Sequence, residues 1–181
     1  MKPRNYKDWG IVLSRKNHGE TDRLLAIYTK NHGKLHFLAK GIRGLKSRKK
    51  GHLEVFSNIS FSAVSISSLD ILSEVETLNN FSLIRTDLKK AAVAYFFLET
   101  LTKLTREGEK HQEVYDLLVD YLEKLQTTDN TRQLRHQFTA KILITLGFWP
   151  QQLPMNSPDS ILEDVIERKL NTVRIGKKLL S

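Results

Sequence analysis

The sequence predicts an α+β chain: a small five-stranded β-barrel over residues 1–78, followed by an all-α helical domain over residues 79–181. Three observations predict it. Up to about Leu78 the apolar residues fall in short runs or alternate, as strands require, and from Leu83 they recur with the 3.6-residue period of helices. A turn motif, Asn31-His32-Gly33-Lys34, joins two of the short runs as a hairpin. The charge also divides along the chain. Residues 1–50 hold 14 Lys+Arg against three acids (Asp8, Glu20, Asp22), a net of +11, whereas residues 51–181 hold 15 against 17, a net of −2. The whole-chain value of +9 is therefore the property of one module.

The strands follow in order. Ile11-Val12-Leu13 is the first apolar run, and Leu24 to Thr29 is the second. Gly33 supplies the positive φ of the turn, and Leu35 to Ala39 returns as the third strand. Ser57 to Ile66 is the fourth, with Ile59, Phe61, Ala63 and Ile66 marking one face; Leu69 to Val75 is the fifth. Five short strands in so few residues suit a barrel, which closes its own edges and needs no helical layer on each face.

The helices follow. Asp87 to about Arg106 is apolar on more than one side (Leu88, Ala91, Ala92, Val93, Tyr95, Phe96, Phe97, Leu98, Leu101), which predicts a central, buried helix that Gly108 can stop. Val114, Leu117, Leu118, Tyr121, Leu122 and Leu125 keep helical spacing without a miss. Asp129 or Thr131 can cap a third helix bearing Leu134, Phe138, Ile142 and Leu146, ended by Gly147 with Pro150 beyond. A fourth starts near Ser157-Pro158-Asp159-Ser160, with Ser160 and Glu163 at capping-box spacing and apolar positions Ile161, Leu162, Val165, Ile166, Leu170 and Val173.

Several function classes are excluded or weakened. The chain has no cysteine, so disulfides, thiol catalysis and cysteine-ligated zinc are ruled out. The longest apolar run, Ala91 to Leu98, is far short of the roughly 20 residues that span a bilayer. The first residues carry no apolar stretch behind their charges, so a signal peptide is not expected and a cytoplasmic, nucleoid-associated location is. There is no P-loop and no G-x-G-x-x-G. His18, Glu20 and Asp22 put an imidazole beside two carboxylates, but nothing near them supplies a nucleophile or an oxyanion hole. A turn with an acid paired to arginine is the better reading, and no enzyme and no cofactor are expected.

What remains is binding. Lys40 to Lys50 contains Lys40, Arg43, Lys46, Arg48, Lys49 and Lys50 and no acid, and Gly41 and Gly44 disfavour a helix there. This is a loop able to follow a run of phosphates, and Arg15, Lys16, Arg23 and Lys34 extend the path, with Arg4, Lys7 and Lys30 adding charge. Six such contacts to single-stranded DNA give a log–log salt slope of roughly −4, a loss of several hundred-fold (order of magnitude) between 50 and 200 mM salt. Trp9, Tyr28, His36, Phe37, Phe56 and Phe61 could stack on bases, although a barrel this small needs most of its rings inside. On the third helix, Arg132, Arg135, His136 and Lys141 lie beside an apolar stripe and the pair Phe148-Trp149. An arginine-rimmed pocket there could take a short acidic peptide, but spacing alone favours an ordinary amphipathic helix with Trp149 as a core plug.

These residues fall into familiar blocks. Gly10-Ile11-Val12-Leu13, Gly19-Glu20-Thr21-Asp22-Arg23-Leu24-Leu25, Tyr28-Thr29, His32-Gly33, Leu38-Ala39-Lys40-Gly41-Ile42-Arg43 with Ser47, and Leu53-Glu54-Val55-Phe56 occur in that order. Leu143-Ile144-Thr145-Leu146-Gly147-Phe148-Trp149-Pro150 and the stretch Glu167 to Leu180 follow. The chain thereby resembles the RecO family of bacterial recombination mediators over nearly its whole length. The resemblance implies an N-terminal OB fold and a helical domain. It implies binding of single- and double-stranded DNA, annealing of complementary strands and, with RecR, help in loading RecA onto strands coated by single-stranded-DNA-binding protein (SSB). It also implies docking of the acidic C-terminal tail of SSB, with Arg132 and Arg135 as contacts. Many members of that family carry a four-cysteine zinc site after the Leu-Gly-x-x-Pro block; here Gln151 to Asn156 runs directly to the last helix, which implies a compact, zinc-free variant. An RNA-binding OB module serving ribosomes or tRNA is the alternative, because phosphate contacts do not separate DNA from RNA.

Overall fold

The structure is a computed structural model that describes residues 4–42, 53–66 and 69–166. Five strands, β1 (Asn5–His18), β2 (Asp22–Thr29), β3 (Gly33–Ala39), β4 (Asn58–Ile66) and β5 (Leu69–Asn79), precede five helices. These are α1 (Ser82–Arg85), α2 (Leu88–Leu104), α3 (Gln112–Thr127), α4 (Thr131–Thr145) and α5 (Pro158–Ile166). The strands close into a barrel in the order β1-β2-β3-β5-β4.

A long first strand makes closure possible. Residues Asn5 to Ile11 of β1 pair with β4, and Gly10 to His18 pair with β2, so one strand serves two neighbours. The register shifts between Val12 and Ser14, a bulge that bends the strand from one neighbour toward the other. Gly10 sits where they diverge, and a Cβ there would run into the Ile27 side chain, so only glycine lets β1 and β2 approach this closely. The barrel shuts through a short parallel contact, Phe37 to Asp70 and Leu38 to Ile71. Inside lie Tyr6, Val12, Leu25, Ile27, Phe37, Ile59, Phe61 and Leu72, with Phe37 and Phe61 edge to face at 5.1 Å. Gly33 adopts φ 69°, as the turn motif requires.

One buried acid fastens the β2–β3 turn to β1. Asp8 Oδ1 accepts from Trp9 N at 2.8 Å and Asn31 Nδ2 at 2.9 Å, Asp8 Oδ2 accepts from Asn31 N at 3.3 Å, and His32 Nδ1 lies 2.6 Å from Oδ2. The His32 ring packs on Tyr6, whose hydroxyl donates to Asp70. Burial, then the Asp70 carboxylate, push that phenol above its ordinary range.

The chain divides into two compact units after Asn80, and unit one takes back residues Arg106–Tyr115. The sequence expectation placed the break at 78, because apolar alternation fades after Val75 while β5 runs on to Asn79. The returning segment forms a parallel bridge from Glu107 to Lys34, with Gly108 N donating to Lys34 O at 2.9 Å. Tyr28 Oη donates to His111 O at 3.4 Å, and a Cβ on Gly33 would collide with the Glu109 carbonyl.

In the second unit, Asp87 caps α2 by accepting from Lys89 N at 2.8 Å and Lys90 N at 3.1 Å. Phe97 of α2, Tyr121 of α3 and Phe138 of α4 meet in one aromatic cluster, Phe97 and Phe138 stacked at 4.1 Å. Asn130, rather than Asp129 or Thr131, caps α4, its side chain accepting from Gln133 N at 3.0 Å. Gly147 ends that helix region at φ 76°. Helix α5 begins at Pro158, whose fixed φ suits a first turn, so Ser160 lies inside the helix rather than capping it. Leu170 and Val173, expected on this helix, lie outside the described residues. Among the described residues no helix is long and apolar enough to cross a membrane.

Candidate nucleic-acid interface

Three strand ends converge at one end of the barrel. The β1–β2 hairpin pairs Asn17 with Arg23 and His18 with Asp22, and Arg23 pairs in turn with Ala39 of β3. Gly19 takes the turn at φ 58°. This brings Lys16, Arg23 and Lys40 to the same end: Lys16 and Lys40 are exposed, and Arg23 is partly exposed with Nε 3.4 Å from Asn17 Oδ1.

Asp22 is spent on geometry. Asp22 Oδ1 accepts from the Gly41 backbone N–H at 2.8 Å and from Thr21 Oγ1 at 3.1 Å. The Gly41 hydrogen bond, aided by Lys40 and His18, holds this carboxyl below its usual range. The expected acid–arginine pairing in this turn is therefore replaced by a clamp on backbone, because Gly41, at φ 64°, presents its amide to the carboxylate. With Asp22 so committed, the His18, Glu20 and Asp22 trio is a turn and its fastening. Arg15 pairs with Glu54, both about one-third exposed.

These contacts anchor both roots of the basic loop. Ile42 on one side and Leu53 on the other are fully buried in the barrel core. Gly41 is held by Asp22, and beyond Glu54 the chain is sewn to β1 by Phe56 N to Val12 O at 2.7 Å and Val12 N to Ser57 O at 3.0 Å. Arg43, Lys46, Arg48, Lys49 and Lys50 lie between these roots and outside the described residues. The ten residues 43–52 carry five Lys+Arg and no acid, and the described residues on either side of them are fixed to the barrel.

Not every predicted cation joins this group. Lys34 stands at the other end of β3, six residues and about 20 Å from Lys40. It is half-buried, and burial lowers its pKa against the opposing pull of Glu107. Arg132 is exposed in the first turn of α4. Arg135 is buried: Nη2 lies 2.5 Å from Asp159 Oδ2, and its guanidinium carbon sits 4.9 Å from the Phe96 ring centroid. It occupies the apolar stripe of Leu134 and Phe138, and its charge is used inside the helical unit rather than presented to a peptide. Trp149 is partly exposed, with Nε1 donating to Leu153 O at 3.3 Å, and Phe148 is exposed.

Of the rings, Tyr28, Phe37, Phe56 and Phe61 are buried, as a small barrel demands, and His36 and Trp9 are exposed. Trp9 is the ring that composition alone does not single out. The in–out alternation of β1 does so, with Tyr6, Asp8 and Gly10 facing in and Trp9 out. The four-cysteine zinc site that many members of that family carry cannot be held by this chain, which has no cysteine. Among the described residues no three His, Asp or Glu side chains gather as a metal site either.

Two family descriptions match the chain: "Recombination protein O N terminal" over residues 1–81 and "Recombination protein O C terminal" over residues 85–152. The curated relatives are named "DNA repair protein RecO". One from Pelotomaculum thermopropionicum is 32% identical over 145 residues, covering 80% of this chain and 56% of the relative. One from Dehalococcoides mccartyi is 28% identical over 150 residues, covering 83% and 59%. One from Listeria monocytogenes is 30% identical over 141 residues, covering 78% and 55%. The matched region thus spans little more than half the length of these relatives.

Proposed function

The chain belongs to the RecO family, and on that premise we propose that it is a non-enzymatic, DNA-binding recombination mediator acting in DNA repair in the cytoplasm. The observation that carries the proposal is the convergence of Lys16, Arg23, Lys40 and both roots of the basic loop at one end of a closed barrel. A polyanion binds there through Lys40, Arg43, Lys46, Arg48, Lys49 and Lys50, with Lys16 and Arg23 beside them. Arg15 flanks the loop root while paired to Glu54, and Lys34 extends the path only along the far end of β3.

Annealing then follows from charge. Each single strand repels its complement, and a cationic surface lowers that repulsion while holding both strands at high local concentration. No covalent step is needed. The strand chemistry is base pairing, and the protein supplies counter-charge and proximity. Phosphate contacts alone carry no sequence information, so this binding does not depend on base sequence, and both single- and double-stranded DNA present the phosphates it needs.

The protein partners of this reading are RecR, the acidic tail of SSB and, through them, RecA. Of the two arginines, Arg132 is the one exposed to solvent for an acidic tail. Arg135 reaches such a tail only by releasing Asp159.

The test is annealing of complementary strands coated with SSB, comparing the native protein with a variant in which Lys46, Arg48, Lys49 and Lys50 are all alanine. The proposal predicts loss of annealing with an unchanged thermal midpoint, since the loop roots at Ile42 and Leu53 are untouched. Unchanged annealing removes the loop from the mechanism. Competition by an RNA oligomer of matching sequence reads the nucleic-acid class, and preference for RNA contradicts the DNA assignment.

A further inference from the structure

The basic end is one side of an unequally charged barrel. From residue 51 to residue 84 the sequence has no lysine or arginine, while Glu54, Asp70, Glu74 and Glu76 fall in that stretch. The strands it builds, β4 and β5, therefore repel a phosphate backbone where the β1–β2–β3 end attracts one.

Pairing register arranges the outer face of these strands. Trp9 of β1 pairs with Ser60 of β4, which pairs with Glu76 of β5. One step along, Lys7 pairs with Ser62, which pairs with Glu74. These six side chains line an open groove of about 370 Å³. Trp9 is 46% exposed there, yet its backbone is held on both sides, N–H to Asp8 and C=O from Lys30 N at 2.9 Å. Ser62 Oγ donates to Glu74 Oε2 at 3.1 Å and orients that carboxylate. Asp8, beneath the groove, has its charge committed inward to Asn31 and His32.

We propose that this groove docks an arginine-bearing segment of a protein partner, with a guanidinium laid over the Trp9 indole and directed at Glu76 and Glu74. The chemistry selects that occupant in three ways. An exposed indole on an anchored backbone is the strongest cation–π acceptor among side chains, and a planar guanidinium stacks on it where an ammonium cannot. Trp9 and Glu76 stand two strand spacings apart, about 10 Å between backbones, a span that a stacked arginine bridges to reach a carboxylate. The two exposed carboxylates outnumber the groove's one cation, Lys7, and select against nucleic acid: a base could stack on Trp9, but its phosphates would meet a net negative lining. Tryptophan and arginine are the residues most enriched in the energetic centres of protein interfaces, so a groove built for that pair is a docking point rather than a solvated face.

The test uses the full chain and defined peptides. A blocked Arg-Ala-Arg peptide, its Lys-Ala-Lys and Glu-Ala-Glu counterparts and oligo-dT are titrated while backbone amides and the two indole N–H signals are followed by NMR, the Trp149→Phe variant assigning which indole belongs to Trp9. The proposal predicts that the arginine peptide shifts the Trp9 indole together with Ser60, Ser62 and Glu76, and binds more tightly than the lysine peptide. The Glu74→Gln, Glu76→Gln double variant weakens it about tenfold, two exposed charge pairs each being worth up to about fivefold. Oligo-dT binding is unchanged in that variant, so this proposal and the nucleic-acid assignment fail separately. A peptide that leaves Trp9 unmoved, or binds the double variant equally well, overturns the proposal. So does an oligo-dT titration that shifts Trp9 as the arginine peptide was expected to, which would make the groove a base-stacking site.

Discussion

Cations that the helical unit commits to structure and those at the basic end of the barrel are used in opposite ways. In the helical unit Arg135 is matched to Asp159, Lys103 to Glu99 and Lys124 to Asp120. At the basic end of the barrel, Lys16 and Lys40 are exposed, and neither makes an ion pair among the described residues. Asp22, which interacts with Lys40, turns its carboxylate to a backbone amide. Net charge alone does not distinguish a binding surface from a structural one. Pairing does, since a cation already neutralised by a buried carboxylate has little left to offer a phosphate.

The largest effect that sharpens this contrast is expected at Arg135. Arg135→Ala strands Asp159 in a partly buried site and removes the cation over Phe96, costing about 2–3 kcal/mol by denaturant unfolding. DNA affinity should not change, and a variant that keeps its stability while losing DNA would break the contrast. Next comes the Lys16→Ala, Lys40→Ala double variant, which should make the salt slope for single-stranded DNA less negative by about 1.4. Its stability should stay within about 0.5 kcal/mol of the native protein, because both side chains are exposed.

Arg15→Ala tests the intermediate case. Its pair with Glu54 is one-third exposed on each side, so solvent screening leaves at most about 1 kcal/mol of stability, together with a modest loss of DNA affinity. The smallest effect belongs to Asp22. Its folded pKa is depressed, so its stabilisation is fully present above the unfolded value of 3.8 and is lost as pH falls through the folded value. Thermal melts should therefore show the native protein losing more stability than Asp22→Asn below about pH 4, and parallel pH profiles would remove the Gly41 clamp.

The unequal legibility of the two modules has the same physical root. Helices are local, and α2 to α4 fall where periodicity puts them, because residues three and four apart share a face. Even the miss at the α4 cap is one residue, in a run Asp129-Asn130-Thr131 where every member can cap. The strands near Gly33 were equally readable. The polar half of β1, Ser14 to His18, was not: it is exposed along its length, and the bulge after Val12 resets any alternation.

Long-range features left the weakest trace. The closure of β3 on β5 rests on two residue pairs more than 30 positions apart, and Arg106–Tyr115 joins the barrel from the α2–α3 connector and the start of α3. Arg135 reads as half of a surface pair with Arg132 until the spacing of Thr131, Leu134, Phe138 and Ile142 is seen to place it in the buried stripe. Its partner, Asp159, lies 24 residues away. Trp9 was legible as a ring, but its exposure became legible only once β1 was known to extend back to Asn5.

The salt dependence of single-stranded DNA binding tests the central claim most directly. For the native chain the log–log slope should be about −4, and for the Lys46, Arg48, Lys49, Lys50 quadruple alanine variant about −1.4, because four of some six phosphate contacts are gone. A quadruple variant that keeps the native slope would contradict the account and move the nucleic acid away from the basic end of the barrel.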